Sequence, residues 1–357
     1  MLNIHPDIKQ AHTLPAEFYR SAAVFESVKE KIFARTWQYV ADASVVEEEG
    51  YYFPLTLFPG VLDEPLVLTH DAEREIRCLS NVCTHRSKVI VEKAGKGRTL
   101  RCGYHGRCFH LDGRFKSMPG FEEAAGFPSE ADDLAIIPLQ EWLQLLFIAL
   151  EPAVDFRTVF QPIDDRVGWL PMDTLAYKPE LSRDYQIKAN WALYCDNYLE
   201  GFHVPFVHPG LNAALDFKNY DYELFPYCNL QIGVAKEGEP CFDLPETSPD
   251  YGRNIYAYYF WVFPNLMLNF YPWGLSMNLV EPLSHNETRI RFRTYQFRGT
   301  PFDWTLNQIH QTEMEDEAVV ESVQRGVQSR YYQRGRFSPS MEKCVHHFHR
   351  LVSEFMK

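Results

Sequence analysis

Four side chains constrain this sequence more than any others. They are Cys83 and His85, in Cys83-Thr84-His85-Arg86, and Cys102 and His105, in Cys102-Gly103-Tyr104-His105. Each pair offers one thiolate and one imidazole, and sixteen residues, 86–101, separate the pairs. C-x-H followed by C-x-x-H differs from the paired C-x-x-C of a zinc ribbon and from the H-x₃₋₅-H of a zinc finger. The flanks predict β-structure. Residues 76–82 read as a strand running into the first pair. The second pair leads into Cys108-Phe109-His110-Leu111 and an Asp112-Gly113 turn, a hairpin signal. Two ligand loops at the tips of two hairpins can hold a metal cluster between them.

Two Cys and two His form the ligand set of a Rieske [2Fe–2S] cluster, in which the histidines hold one iron and the cysteines the other. Neutral imidazoles in place of thiolates raise the potential to roughly −150 to +300 mV. The same four side chains also allow a structural zinc site.

At 357 residues the chain is long enough for two domains with separate cores. A net charge of −13 argues against nucleic acid or an anionic membrane as a partner. The N-terminus lacks the basic and then apolar regions of a signal peptide, and the longest apolar run, 145–150, is too short to span a bilayer. Cys78, Cys108, Cys195, Cys228, Cys241 and Cys344 show no disulfide-framework spacing. These features predict a cytoplasmic protein.

Phe18, Ala22, Phe25, Val28, Ile32 and Phe33 recur at helical spacing, which predicts one helix over 16–38. From Trp37 to about Glu151 short β-type runs alternate with Gly, Pro and Asp, and this stretch contains all four cluster ligands. The second half mixes strands (257–263, 276–280 and 289–297) with one long helix over 303–330. The expected organisation is an N-terminal helical segment, 1–37, packing on the catalytic domain; a cluster domain, 38–151; and a catalytic domain, 152–357. No G-x-G-x-x-G dinucleotide fingerprint occurs, so a redox protein of this kind must take electrons from a separate donor.

A second metal site is written in residues 190–208. Glu200 and His203 are three apart and so are expected to share a helix face. On an unbroken helix His208 would point about 140° away from His203. Pro205 lacks an N–H and disfavours continuity, so a break there lets the two imidazoles converge. Two His invite a carboxylate, because the 2-His-1-carboxylate triad binds non-haem Fe(II) and leaves positions open for oxygen. The helix around 313–323 offers several acids. Val319, Val320, Val323 and Val327 fall about −60°, +40°, −20° and +20° from Asp316. Asp316 therefore sits mid-stripe, where a carboxylate is costly unless paired or bound to metal. Glu315, Glu317 and Glu321 fall on the solvated face, and Glu313, at the stripe's edge, is the runner-up.

With both motifs in view, the chain resembles the terminal-oxygenase α subunits of Rieske non-haem iron oxygenases over most of its length. The resemblance rests on the cluster pair, on the run from Asn190-Trp191 through Asp196-Asn197-Tyr198 and Glu200 to His203 and His208, and on Glu315-Asp316 with 321–326. Residues 342–349 look like the end of the choline monooxygenase branch, and 321–326 recur in carnitine and glycine-betaine oxygenases. The resemblance implies an α+β architecture: a small all-β Rieske domain and a helix-grip catalytic domain, an antiparallel sheet around a long C-terminal helix. It also implies a homotrimer in which each cluster serves the neighbouring subunit's iron, and a separate NAD(P)H-dependent reductase or ferredoxin as donor. Glu200 takes the place of the bridging acid, usually Asp. One of its oxygens would hold His203, while the other would reach a Rieske histidine of a neighbouring subunit, His105 by preference. Thr84 and Gly103 replace commoner prolines, and Arg107 stands where many members have Trp.

The implied chemistry is reductive activation of O₂, with oxygen entering a small organic substrate as a hydroxyl, including on a methyl carbon that then leaves as formaldehyde. Aromatic residues crowd 251–273, either as a cage for a quaternary ammonium group or as alternating core residues. Aromatic-ring hydroxylation is the competing reaction. A Rieske electron-transfer protein without catalysis would need only the first 150 residues or so, and the triad argues against it. His346, His347 and His349 read as helix packing, with a third metal site as the alternative.

Overall fold

The computed structural model describes all residues except 1, 74, 217, 218 and 302–305. The chain divides into two compact units, Ala34–Ala153 and Met1–Phe33 with Val154–Lys357.

The N-terminal stretch is two helices rather than the single one predicted: α1 (Ala16–Arg20) and α2 (Ala22–Lys31). Ser21 is the reason. Its backbone is extended (φ −92°, ψ 118°), and its hydroxyl accepts from the Val24 N–H to cap α2. Hydrophobic periodicity passes through such a break unseen.

The unit Ala34–Ala153 is all β. Its strands are β1 (Gln38–Asp42), β2 (Tyr51–Leu57), β3 (Glu64–His70), β4 (Ile76–Ser80), β5 (Gly95–Lys96), β6 (Thr99–Arg101), β7 (Cys108–His110), β8 (Phe115–Ser117), β9 (Ile136–Ile137), β10 (Leu139–Trp142) and β11 (Leu145–Ile148). They form a five-stranded sheet in the order β5-β2-β3-β4-β9 and two three-stranded sheets, β1-β11-β10 and β6-β7-β8. Val67, Leu79, Leu100 and Phe109 build a core that also includes both ligand cysteines.

In the other unit, α3 (Phe156–Val167) leads to β12 (Leu175–Tyr177) and β13 (Arg183–Ile187). Three helices follow: α4 (Trp191–Tyr198), α5 (Val204–Val207) and α6 (Pro209–Ala214). The remaining strands are β14 (Asp221–Leu224), β15 (Cys228–Val234), β16 (Ile255–Val262), β17 (Leu266–Tyr271), β18 (Gly274–Ser284) and β19 (Glu287–Phe297), before α7 (Leu306–Gly326) and α8 (Lys343–Phe355). The eight strands make one antiparallel sheet in the order β12-β19-β18-β17-β16-β15-β14, with β13 also on β19. Expected helix residues 303–305 lie outside the described residues, and α7 ends at Gly326 rather than 330.

Register explains how the sheet serves the site. Gln231 pairs with Tyr259, Tyr259 with Asn269, and Asn269 with Ser276, so these residues share one face. Helices α4 and α8 lie on that face. Tyr198 of α4 donates to Asn269 Oδ1 (2.7 Å), and Phe348 of α8 meets Trp261 edge-on at 5.0 Å. On the opposite face, the Tyr258 hydroxyl donates to the buried Asp250.

Candidate metal centres

The two ligand loops of the β unit share one main-chain pattern. The Cys83 N–H donates to the Lys88 carbonyl and the Ser87 N–H to the Cys83 carbonyl. In the second loop the Cys102 N–H donates to Arg107 O, and the Gly106 N–H to Cys102 O. The fourth residue after each cysteine has left-handed φ, 54° at Ser87 and 78° at Gly106. Both loops sit at hairpin tips, one closed by the Val82–Val89 bridge, the other joining β6 to β7. The His85 and His105 rings lie 4.8 Å apart, with Tyr104 stacked on His105 at 3.8 Å. Both cysteines are buried. Burial, opposed by backbone N–H groups and reinforced by the nearby Cys102 thiol, raises the Cys83 pKa. Paired sulfurs on one side and paired imidazoles on the other fit a Rieske cluster, where iron would replace the thiol protons.

Arg107 is buried, 2% exposed, where many Rieske proteins were expected to hold Trp. It forms an ion pair with Asp132 (2.6 Å) and lies 5.0 Å from the Phe115 ring and 5.5 Å from Phe127. Thr84 donates its hydroxyl to the Asp132 carbonyl (2.8 Å), so both loops are fastened to one residue.

In the larger unit His203, His208 and Asp316 come together, their ligand atoms within 4.8 Å of one another. His203 Nε2 and His208 Nε2 are 3.2 Å apart, and Asp316 Oδ1 lies 2.9 Å from His208 Nε2 and 3.5 Å from His203 Nε2. The other ring nitrogens are held from behind. Nδ1 of His203 donates to Glu200 Oε1 (2.8 Å), and Nδ1 of His208 to Glu315 Oε2 (2.8 Å). Two carboxylates thus fix the tautomers that leave both Nε2 lone pairs facing Asp316. The donor set fits mononuclear Fe(II), with two imidazoles and one carboxylate on one side.

The local structure corrects several expectations. Glu200 and His203 share no helix, because α4 ends at Tyr198 and α5 begins at Val204. Glu200 meets His203 across a turn, and its second oxygen accepts the His203 backbone N–H (2.9 Å), a bond that helical spacing did not anticipate. Pro205 does not break a helix; it sits in the first turn of α5, where its missing N–H costs nothing. His208 follows in the non-helical joint between α5 and α6.

The buried stripe of α7 is rotated from the predicted one. Glu313, Val320, Gln324 and Val327 are buried, whereas Val323 is 42% exposed and Asp316 lies at the stripe's edge beside the histidines. Polar partners set this rotation. Tyr194 donates to Glu313 (2.7 Å), Glu321 accepts the Lys188 N–H (2.9 Å), and Gln324 accepts the Asn190 N–H (2.9 Å). Glu315, Glu317 and Glu321 are therefore half-buried rather than solvated. Burial acts to raise the Glu315 carboxyl, but hydrogen bonds from Gln311 and His208 hold it below its ordinary value. Burial pushes Glu317 up to about 7, with Glu321 and Asp316 adding to it. Burial alone would lower the His208 pKa; Asp316 and then Glu315 outweigh it and raise the pKa.

A cavity of about 160 Å³ opens beside the triad. Its sheet side carries Gln231, Tyr259, Asn269, Tyr271, Trp273, Ser276, Asn278 and Phe292, and its helix side Tyr198, Leu211, Thr312 and Glu313. Of the aromatic-rich segment only Tyr259, Tyr271 and Trp273 reach it. Tyr258, Phe260 and Phe270 are core, and Tyr251 is exposed. The sheet-side polar residues went unnoticed in the sequence, although Ser276 and Asn278, alternating within an apolar strand, were a legible signal. The His346–His349 segment is packing: His346 donates to His5 O, His347 to Asn229 Oδ1, and His349 to Asp196 Oδ1.

A Rieske-like β unit and a sheet-and-helix unit carrying a two-histidine, one-carboxylate cluster define an oxygenase of the Rieske non-haem iron class. The Rieske [2Fe-2S] domain family matches residues 36–128, and the ring-hydroxylating alpha subunit (catalytic domain) family matches 173–357. The chain belongs to the ring-hydroxylating alpha-subunit family: an O₂-dependent oxidoreductase with a Rieske [2Fe–2S] cluster and a mononuclear iron. It is 29% identical to the carnitine monooxygenase oxygenase subunit of Escherichia coli (strain K12), covering 100% of both chains. It is 27% identical to the chloroplastic choline monooxygenase of Beta vulgaris, over 98% of this chain and 78% of that protein. In fold it is similar to a solved quaternary ammonium Rieske monooxygenase (TM-score 0.80, 24% identity, 100% of both chains). It is also similar to naphthalene 1,2-dioxygenase from Rhodococcus sp. (TM-score 0.72, 18% identity, 96% and 94%). Among the described residues no helix is long and apolar enough to cross a membrane.

Proposed function

We propose that this chain is the terminal oxygenase component of a cytoplasmic, homotrimeric enzyme that hydroxylates or oxidatively demethylates a quaternary ammonium compound. Cys83, His85, Cys102 and His105 hold the cluster, and His203, His208 and Asp316 the mononuclear iron. A separate NAD(P)H-dependent reductase or ferredoxin supplies the electrons. When bound, the two metal groups supply electron storage and O₂ activation.

The chain's own residues do the rest. Glu200 and Glu315 orient the two histidines through Nδ1. Tyr198, anchored to Asn269, fixes α4 against the sheet. One observation carries the substrate class: the cavity beside the triad presents Tyr259, Tyr271 and Trp273, and among its described lining residues there is no Lys or Arg. Aromatic faces attract a desolvated cation, and an aromatic acid would find no cationic side chain among the described lining residues. The relatives named for choline and carnitine support the same reading.

The test is oxygen uptake and formaldehyde release with a surrogate reductase. Choline, glycine betaine, carnitine and benzoate are supplied in turn. The expected result is uptake with at least one ammonium compound and none with benzoate. Uptake with benzoate or a neutral arene alone would place the enzyme with the ring hydroxylases.

A further inference from the structure

Glu313 is the most deeply placed carboxylate on α7, 3% exposed, and it lines the cavity three residues from Asp316. Its Oε2 accepts the Tyr194 hydroxyl at 2.7 Å, while no described residue donates to Oε1. Triad assembly does not use it. A buried carboxylate oxygen without a donor is costly, and proteins keep such groups where a ligand satisfies them.

We propose that Glu313 is the counter-charge for the substrate's ammonium group and that it selects a cation without a carboxylate of its own. This rests on the quaternary ammonium reading and narrows it. Tyr259, Tyr271 and Trp273 line the sheet side of the cavity, and the Glu313 carboxyl lines its helix side. A cation between them gains both attractions in a water-poor site. A zwitterion brings a carboxylate into a lining that holds Glu200, Glu313 and Asp316 and, among the described residues, no Lys or Arg. Among the described lining residues that carboxylate meets acids and no cationic side chain, so the side chains that favour the cation also disfavour the zwitterion. Burial holds the Glu313 carboxyl well above the usual range, the Tyr194 hydrogen bond opposing and Asp316 and Glu317 adding.

The test is anaerobic calorimetric binding to the metal-loaded protein. The probes are choline, its neutral isostere 3,3-dimethylbutan-1-ol, and glycine betaine. Wild type is expected to bind choline at least tenfold more tightly than either of the others. Glu313→Gln is expected to shrink the choline-to-isostere ratio at least fivefold with iron and cluster content unchanged, and Glu313→Asp, which keeps the charge, to retain most of it. An unchanged ratio in Glu313→Gln overturns the proposal. So does equal loss in both variants, which would make side-chain size the cause. Betaine binding as tight as choline in wild type also overturns it, without needing any variant to fold. Binding of none of choline, betaine or carnitine by wild type is a different result, and it removes the quaternary ammonium reading itself.

Discussion

His208 donates its Nδ1–H to Glu315 across 2.8 Å, while its Nε2 faces Asp316 at 2.9 Å. Neighbouring acids on one helix thus grip the same imidazole from opposite sides. Glu315→Ala is expected to lower iron affinity about ten- to a hundredfold, the usual effect of losing such a partner. Cluster absorbance should be unaffected. Iron titration of the apo-variant checks this, and affinity equal to wild type would show that packing alone orients His208.

Asp316→Ala should lose the mononuclear iron altogether and keep the cluster. Iron and acid-labile sulfide counts per chain separate the two centres. If Glu313→Ala is the variant that empties the site, the carboxylate has been misassigned along α7.

Glu200→Gln should retain both metals yet slow electron transfer from cluster to iron at least tenfold. The carboxylate holds His203 through both its ring and its backbone N–H, and an amide replaces one acceptor with a donor. Stopped-flow reoxidation of the reduced cluster, with substrate and O₂ present, is the measurement. Wild-type rates would leave Glu200 a purely structural residue.

Removing Arg107 leaves the Asp132 carboxylate unpaired and a void between Phe115 and Phe127. Arg107→Ala is expected to destabilise the cluster unit by about 3 kcal/mol, the low end for a buried pair because Asp132 is partly exposed. The cluster-bleaching temperature should fall accordingly.

Burial, with smaller contributions from Arg350 and His346, lowers the His347 pKa to about 4. The unfolded chain protonates near 6.5, so this residue's contribution is fully present above that pH and is lost as pH falls towards 4. It amounts to about 3 kcal/mol at most. Thermal unfolding between pH 7 and 4.5 should show a shallower decline for His347→Gln than for wild type.

The cluster loops were legible in the sequence because metal ligands are conspicuous by type and spacing alone. His203, His208 and Asp316 lie together as the sequence reading expects, although Asp316 was picked by an argument that was only half right. Periodicity counts apolar residues, so it centred the α7 stripe on valines, whereas the real buried face is set by Glu313, Glu321 and Gln324 bonding to the segment 188–194. The turn at Glu200 escaped notice because spacing of three fits a turn as well as a helix. Ser21 divided the N-terminal helix for a reason written in one hydroxyl.

The paired loops at Cys83 and Cys102 are shaped by main-chain hydrogen bonds that repeat at the same offsets. Side chains in these loops that make no contact of their own therefore bear little of the folding burden and are free to drift. Gly103, exposed and with little packed around it, is evolutionary room of this kind, whereas Thr84 and Arg107 are tied to Asp132. Electrochemical tuning can proceed at such positions without risking the cofactor's attachment, and a designer could set the potential there one substitution at a time.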